Sequence, residues 1–153
     1  MKLYFHGHNY KYAAEQMLLT LFPGQRPEYP DGPPGAGEDG LVLSLHLGAR
    51  QATATAALTW EGRTCRKTRR CPLPDPGDKV ARDRAFQHIL KLAFYEAGTA
   101  LLGAEPPWGA LTGVRPVKLP TRAMLAGATE AQACRELERE YHVSPRRARL
   151  AVE

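Results

Sequence analysis

The sequence predicts an α+β fold. An antiparallel sheet of about four strands, in the order β-α-β-β-β-α, carries helices on one face and is followed by short C-terminal helices. Three observations predict it. Leucines alternate strictly with Val42, Ser44 and His46 over 41–47, and over 51–60 small or apolar residues at the even positions alternate with a face that carries Thr53, Thr55 and Thr59, the period of half-buried strands. Glu61-Gly62 separates the second run from a third at two-residue hairpin spacing. Apolar residues recur at helical spacing over 13–21 and 86–101.

Taken in order, residues 2–8 alternate loosely, carry Tyr4 and Phe5, and read as a first strand. His6 and His8 stand two apart, so on a strand they share a face. Two histidines on one face can begin a metal site, but no third ligand is evident and a polar, half-exposed face is the better reading. Asn9 is placed to cap the helix that follows, whose stripe is Ala13, Ala14, Met17, Leu18 and Leu21. Pro23-Gly24 ends it. Residues 23–40 hold five prolines and five glycines, a surface loop with no chemistry assigned.

Leu41, Leu43, Leu45 and Leu47 face one way from the second strand; Ala52, Ala54, Ala56, Leu58 and Trp60 do so from the third. The alanines allow a helix to approach closely. Residues 63–71 form a polar last strand with Arg63, Arg66, Lys67, Arg69 and Arg70. Those charges read as a phosphate-contacting ribbon or as protection of a sheet edge. Edge protection is favoured, because no aromatic alternates with the charges to stack on bases. Asp78 caps the longest helix, about 79–102, whose stripe is Phe86, Ile89, Leu90, Ala93, Phe94, Ala97 and Leu101 and whose terminator is Gly103. His88 lies beside that stripe. Three short helical pieces close the chain: 122–125, ending near Gly127; 130–141, capped by Thr129; and one from Pro145, capped by Ser144. The last has no closing glycine or asparagine, as if cut in mid-helix. The expected division is 1–103 for the α+β domain and 104–153 for a loop and helical linker.

A length of 153 residues suits one domain, and 43% hydrophobic with 24% charged residues is a globular composition. No apolar run is long enough to span a membrane, and no signal peptide is evident, so a cytoplasmic protein is expected. Cys65, Cys71 and Cys134 are neither paired by count nor closely spaced, which argues against a disulfide framework, a four-ligand zinc site or an iron–sulfur cluster. The net charge of +5 allows an anionic partner, or only a solvated basic face. Neither a catalytic triad, a carboxylate pair, a phosphate loop nor a dinucleotide fingerprint occurs. No catalytic residue and no metal ligand is assigned.

The densest chemistry lies in residues 107–119, Pro-Trp-Gly-Ala-Leu-Thr-Gly-Val-Arg-Pro-Val-Lys-Leu. Two glycines and a proline constrain the backbone, so Arg115 and Lys118 project from a shaped loop. The stretch reads either as a packed connector with Trp108 plugging a core edge or as an anion-binding loop.

This stretch closely resembles a signature of the oxygen-independent coproporphyrinogen III oxidase (dehydrogenase)-like radical SAM proteins with a long N-terminal extension. Glu138-Arg139-Glu140-Tyr141-His142-Val143-Ser144, with Ala148 and Leu150, resembles that family too. The likeness is specific over about 85–153 and rests on layout alone over 1–78. It implies an N-terminal accessory domain of an enzyme that oxidatively decarboxylates two propionates in haem synthesis. It also implies a parent chain whose radical SAM barrel, its partner, holds a 4Fe–4S cluster and S-adenosylmethionine. The C-x-x-x-C-x-x-C cluster motif has no counterpart here, so no cofactor is expected in this chain. Trp108, Thr112, Gly113, Arg115 and Lys118 are candidates either to bind a tetrapyrrole carboxylate or to dock on the barrel. The alternatives are a nucleic-acid module using the basic strand and the tail Arg146-Arg147-Arg149, or a protein-interaction domain; the resemblance puts the accessory domain ahead of both.

Overall fold

A computed structural model describes residues 1–106, 109–111 and 118–152, without the side chain of Lys118. The chain divides into two compact units, Met1–Ala104 and Glu105–Glu153.

The first unit is an α+β sandwich of two layers. Its elements are β1 (Lys2–His6), α1 (Lys11–Leu21), β2 (Gly40–Leu47), β3 (Gln51–Trp60), β4 (Arg63–Pro72) and α2 (Lys79–Leu102). The strands lie in the order β1-β2-β3-β4. The sheet is mixed rather than wholly antiparallel: β2-β3 and β3-β4 are antiparallel, but β1 pairs parallel with β2, Leu3 opposite Leu41 and His6 opposite Ser44. The connection through α1 requires this. A helical crossover returns the chain to the end of the sheet at which it began, which only parallel pairing satisfies.

The predicted stripes form the core. Leu41, Leu43, Ala52, Ala54, Ala56 and Leu58 are buried beneath α2, joined by Phe86, Ile89, Leu90, Ala93, Phe94 and Ala97 of that helix. Leu92 and Tyr95 are buried as well, so α2 is sequestered over a wider arc than one stripe. Leu47 departs from its alternation and is 46% exposed, since β2 there runs past α2's cover. Small side chains govern close approach. The alanines of β3 let α2 lie low on the sheet, and a Cβ on Gly98 of α2 would come within 2.6 Å of Leu21 of α1. Asp78 accepts from the Ala81 amide at 3.0 Å, and Gly103 closes α2 in the left-handed conformation. Glu61 and Gly62, both at positive φ, make the β3-β4 turn.

Asn9 does not cap α1. Tyr10 occupies that position with no side-chain cap bond. The 23–40 loop is tied to β1: the Leu3 amide donates to Glu28 O at 2.8 Å and the Glu28 amide to Met1 O at 2.9 Å.

In the second unit α3 (Lys118–Leu125) starts four residues earlier than the sequence suggests, so Lys118 opens a helix instead of projecting from a loop. It is followed by α4 (Glu130–Tyr141) and α5 (Pro145–Val152). Thr129 and Gln132 form a reciprocal capping box on α4, and Ser144 Oγ accepts from the Arg147 amide at the start of α5. Leu137, Val143, Ala148 and Ala151 form the core, with Leu111, Leu119, Cys134 and Tyr141 packed against it.

Candidate functional site

Of the signature stretch, the structure describes Gly109, Ala110 and Leu111 and the backbone from Lys118 onward. Trp108, Thr112, Gly113 and Arg115 lie outside the described residues. Pro106 O accepts from the Gly109 amide at 2.9 Å, and the Ala110 amide donates to Tyr141 O at 2.6 Å. Gly109 has φ +59°, and a Cβ on it would overlap the carbonyls of Tyr141 and His142. Those carbonyls close the end of α4, where His142 takes the left-handed conformation and Val143 N–H returns to Leu137 O at 3.1 Å. Ala110 is buried and Leu111 joins the core of the unit. The start of the signature is therefore a seam stitched to the α4-α5 corner. Only glycine fits at position 109, both for its φ and for the close backbone approach.

The His6–His8 pairing is overturned. Strand β1 ends at His6, and Gly7, at φ +79° and against the Leu45 carbonyl, turns the chain. The side chain of His8 therefore lies off the strand. Its Nε2 meets Leu43 O at 2.9 Å and its Nδ1 accepts from the Tyr10 amide at 3.1 Å. These bonds fix a neutral ring with the proton on Nε2 and occupy both nitrogens, leaving no lone pair for a metal. Burial holds the His8 pKa below its ordinary value, with the Leu43 carbonyl opposing and His6 adding to the shift. A depressed folded pKa gives stability that is full above pH 6.5 and is lost as pH falls below that value. Replacing His8 by Asn is expected to flatten that acid limb, as read from urea midpoints between pH 7 and pH 5. An unchanged acid limb would remove His8 from the account.

An open groove of about 780 Å³ runs beside β1, lined by Phe5, His6, His8, Lys11, Tyr29 and Asp31, among others. Several of its polar groups already have partners. Lys11 Nζ lies 4.6 Å from the centre of the Tyr29 ring, and the Tyr29 hydroxyl donates to Glu15. Burial and Glu15 push the Tyr29 pKa up. Phe5 packs on His8 and on Tyr29 with ring centres 4.9 and 5.8 Å apart. Sequence reasoning missed Tyr29; its one signal was an aromatic inside a Pro/Gly loop. Nearby, Tyr10 donates to Asp83 at 2.8 Å, and burial together with that bond raises its pKa to about 12.

On β4 the structure separates the cations. Arg69 pairs with Glu96 at 3.0 Å and Arg63 donates to Leu101 O, both on the α2 side. Arg66 and Arg70 face the opposite side, and among the described residues they form no ion pair. The three cysteines are free; burial raises the pKa of Cys71 and of Cys134, which keeps both as thiols and poor nucleophiles. No group of three or more potential metal ligands occurs among the described residues, and no helix among them is long and apolar enough to cross a membrane.

Comparison with protein-family models, with curated proteins and with solved structures yields no match for this chain.

Proposed function

We propose that this chain is a non-catalytic accessory domain of a radical SAM enzyme of the coproporphyrinogen III dehydrogenase type, serving porphyrin and haem synthesis in the cytoplasm. The observation that carries this reading is the 107–119 stretch, whose resemblance to that family's signature is specific and whose Gly109 is required by the backbone it meets. Under this reading the partner is the radical SAM barrel of the same parent chain, and the 4Fe–4S cluster and S-adenosylmethionine belong to that barrel. The chain's own contribution is the 107–119 stretch. Arg115 offers a bidentate grip on one propionate of the substrate and Lys118 a point charge for another, or the two dock on the barrel beside Trp108.

The first test is the reading frame beyond Glu153, which is expected to continue into a C-x-x-x-C-x-x-C motif; a stop codon there, with no such motif encoded alongside, ends the proposal. In the full parent enzyme, Arg115→Ala is expected to raise KM for the tetrapyrrole by roughly tenfold or more, as loss of a charged hydrogen-bonded contact does. Unchanged KM and turnover would eliminate carboxylate binding by Arg115. Docking has its own check, in that Trp108→Ala should weaken association of separately made domain and barrel.

A further inference from the structure

We propose that the face of the sheet opposite the first unit's helices is a docking surface for single-stranded nucleic acid, held through its phosphodiester backbone. The first unit's helices cover one side of the sheet only: Ala52, Ala54, Ala56 and Leu58 are fully buried there. On the opposite side the strand register assembles rows of donors that are distant in sequence. His6, Ser44, Thr55 and Thr68 stand abreast in one row. His46, Thr53 and Arg70 form the next, and Arg66 lies in the row on the other flank, beside Ala57. Not one Asp or Glu occurs in any of the four strands. The guanidinium groups of Arg66 and Arg70 are thus unneutralised within the face, unlike Arg69 on the helix side with its Glu96 partner.

Charge complementarity selects the occupant. Positions 66, 68 and 70 on one strand are spaced at roughly 7 Å, and neighbouring strands at roughly 4.8 Å. That makes a lattice of hydroxyl and cationic donors suited to an extended chain with an anionic, acceptor-rich group at every unit. A face four strands wide is too broad to enter a duplex groove, whereas a single strand can lie across it. Tyr4, the aromatic of this face, is only 8% exposed, so bases gain no stacking platform. Binding is accordingly tolerant of sequence and steeply dependent on salt. Read as a sequence, the basic strand lacked both features that matter here: the sorting of its arginines onto two faces, and the hydroxyls that β2 and β3 bring beside them.

The test is fluorescence anisotropy of a labelled mixed-sequence RNA 12-mer and of oligo-dT of the same length, titrated with the 153-residue protein over about 50–200 mM salt. Both oligonucleotides are expected to bind with similar affinity. Arg66→Ala/Arg70→Ala is expected to weaken both and to reduce the salt slope by about 1.4, the value for two phosphate contacts on a single strand. The charge-matched Arg84→Ala/Arg135→Ala protein should bind as the parent does. On the unaltered protein, amide chemical-shift changes on adding oligonucleotide should fall on 42–46, 53–59 and 64–70. The proposal is overturned by absence of binding at the lowest salt, by equal loss in the two double variants, or by shift changes elsewhere. Equally effective competition by a poly-glutamate peptide also overturns it, by making the surface a carboxylate site on an acidic protein.

Discussion

Gly109→Ala is expected to cost the second unit most of its stability. The substitution places a methyl group against the carbonyls of Tyr141 and His142 and holds an L-residue at φ +59°. The conformation alone costs about 1–2 kcal/mol. Relieving the overlap also means lengthening or breaking the bond from the Ala110 amide to Tyr141 O and withdrawing Ala110 and Leu111 from the core they join. A unit of this size commands only about 2–7 kcal/mol in total. Hydrogen exchange checks this: amides of α4 and α5 are expected to lose protection while those of β2, β3 and α2 keep theirs. Gly127→Ala is the control, because Gly127 also has positive φ but no atom within 4 Å of its Cβ position. If Gly109→Ala matches that control, packing is not what requires glycine in the signature, and close approach of a ligand becomes the better account.

The second large effect is expected at Gly7→Ala. Gly7 ends β1 at φ +79° with the Leu45 carbonyl where a Cβ would stand. Moving β2 aside disturbs the bond from His8 to Leu43 O and the docking of β1. The conformational cost and a lost hydrogen bond together come to on the order of 3 kcal/mol. For a domain of this size that corresponds to a melting temperature about 10–20 °C lower. Gly62→Ala isolates the conformational share, since Gly62 shares φ +79° but has open space around it. A melting temperature for Gly7→Ala equal to that of Gly62→Ala would show that β2 yields without resistance.

Elements specified by local chemistry were legible before any coordinates. The bounds of β3 follow from its alternation and the Glu61-Gly62 turn, and those of α2 from Asp78 and Gly103. What was not legible depends on distant partners. The parallel pairing of β1 is decided by where β2 lies, and the ring of His8 is fixed by the Leu43 carbonyl, 35 residues away. Lys118 was read as part of the loop, yet Pro120 stands in the first turn of a helix, where a proline removes no hydrogen bond, and α3 begins at Lys118. The signature stretch was visible as unusual chemistry; that Gly109 answers to the end of α4 required the fold, since the residues it meets are 32 and 33 positions on.

The parallel pairing of β1 also bears on the order in which the domain assembles. Strands β2, β3 and β4 are joined by tight turns and close over short loops, whereas β1 reaches β2 only across α1 and the 23–40 segment. Local pairings close early and the long crossover late. The meander with α2 is then expected to act as the folding nucleus and β1 to arrive last. The damage done by Gly7→Ala accordingly shows as faster unfolding with little change in the folding rate, while weakening the Glu61-Gly62 turn slows folding itself.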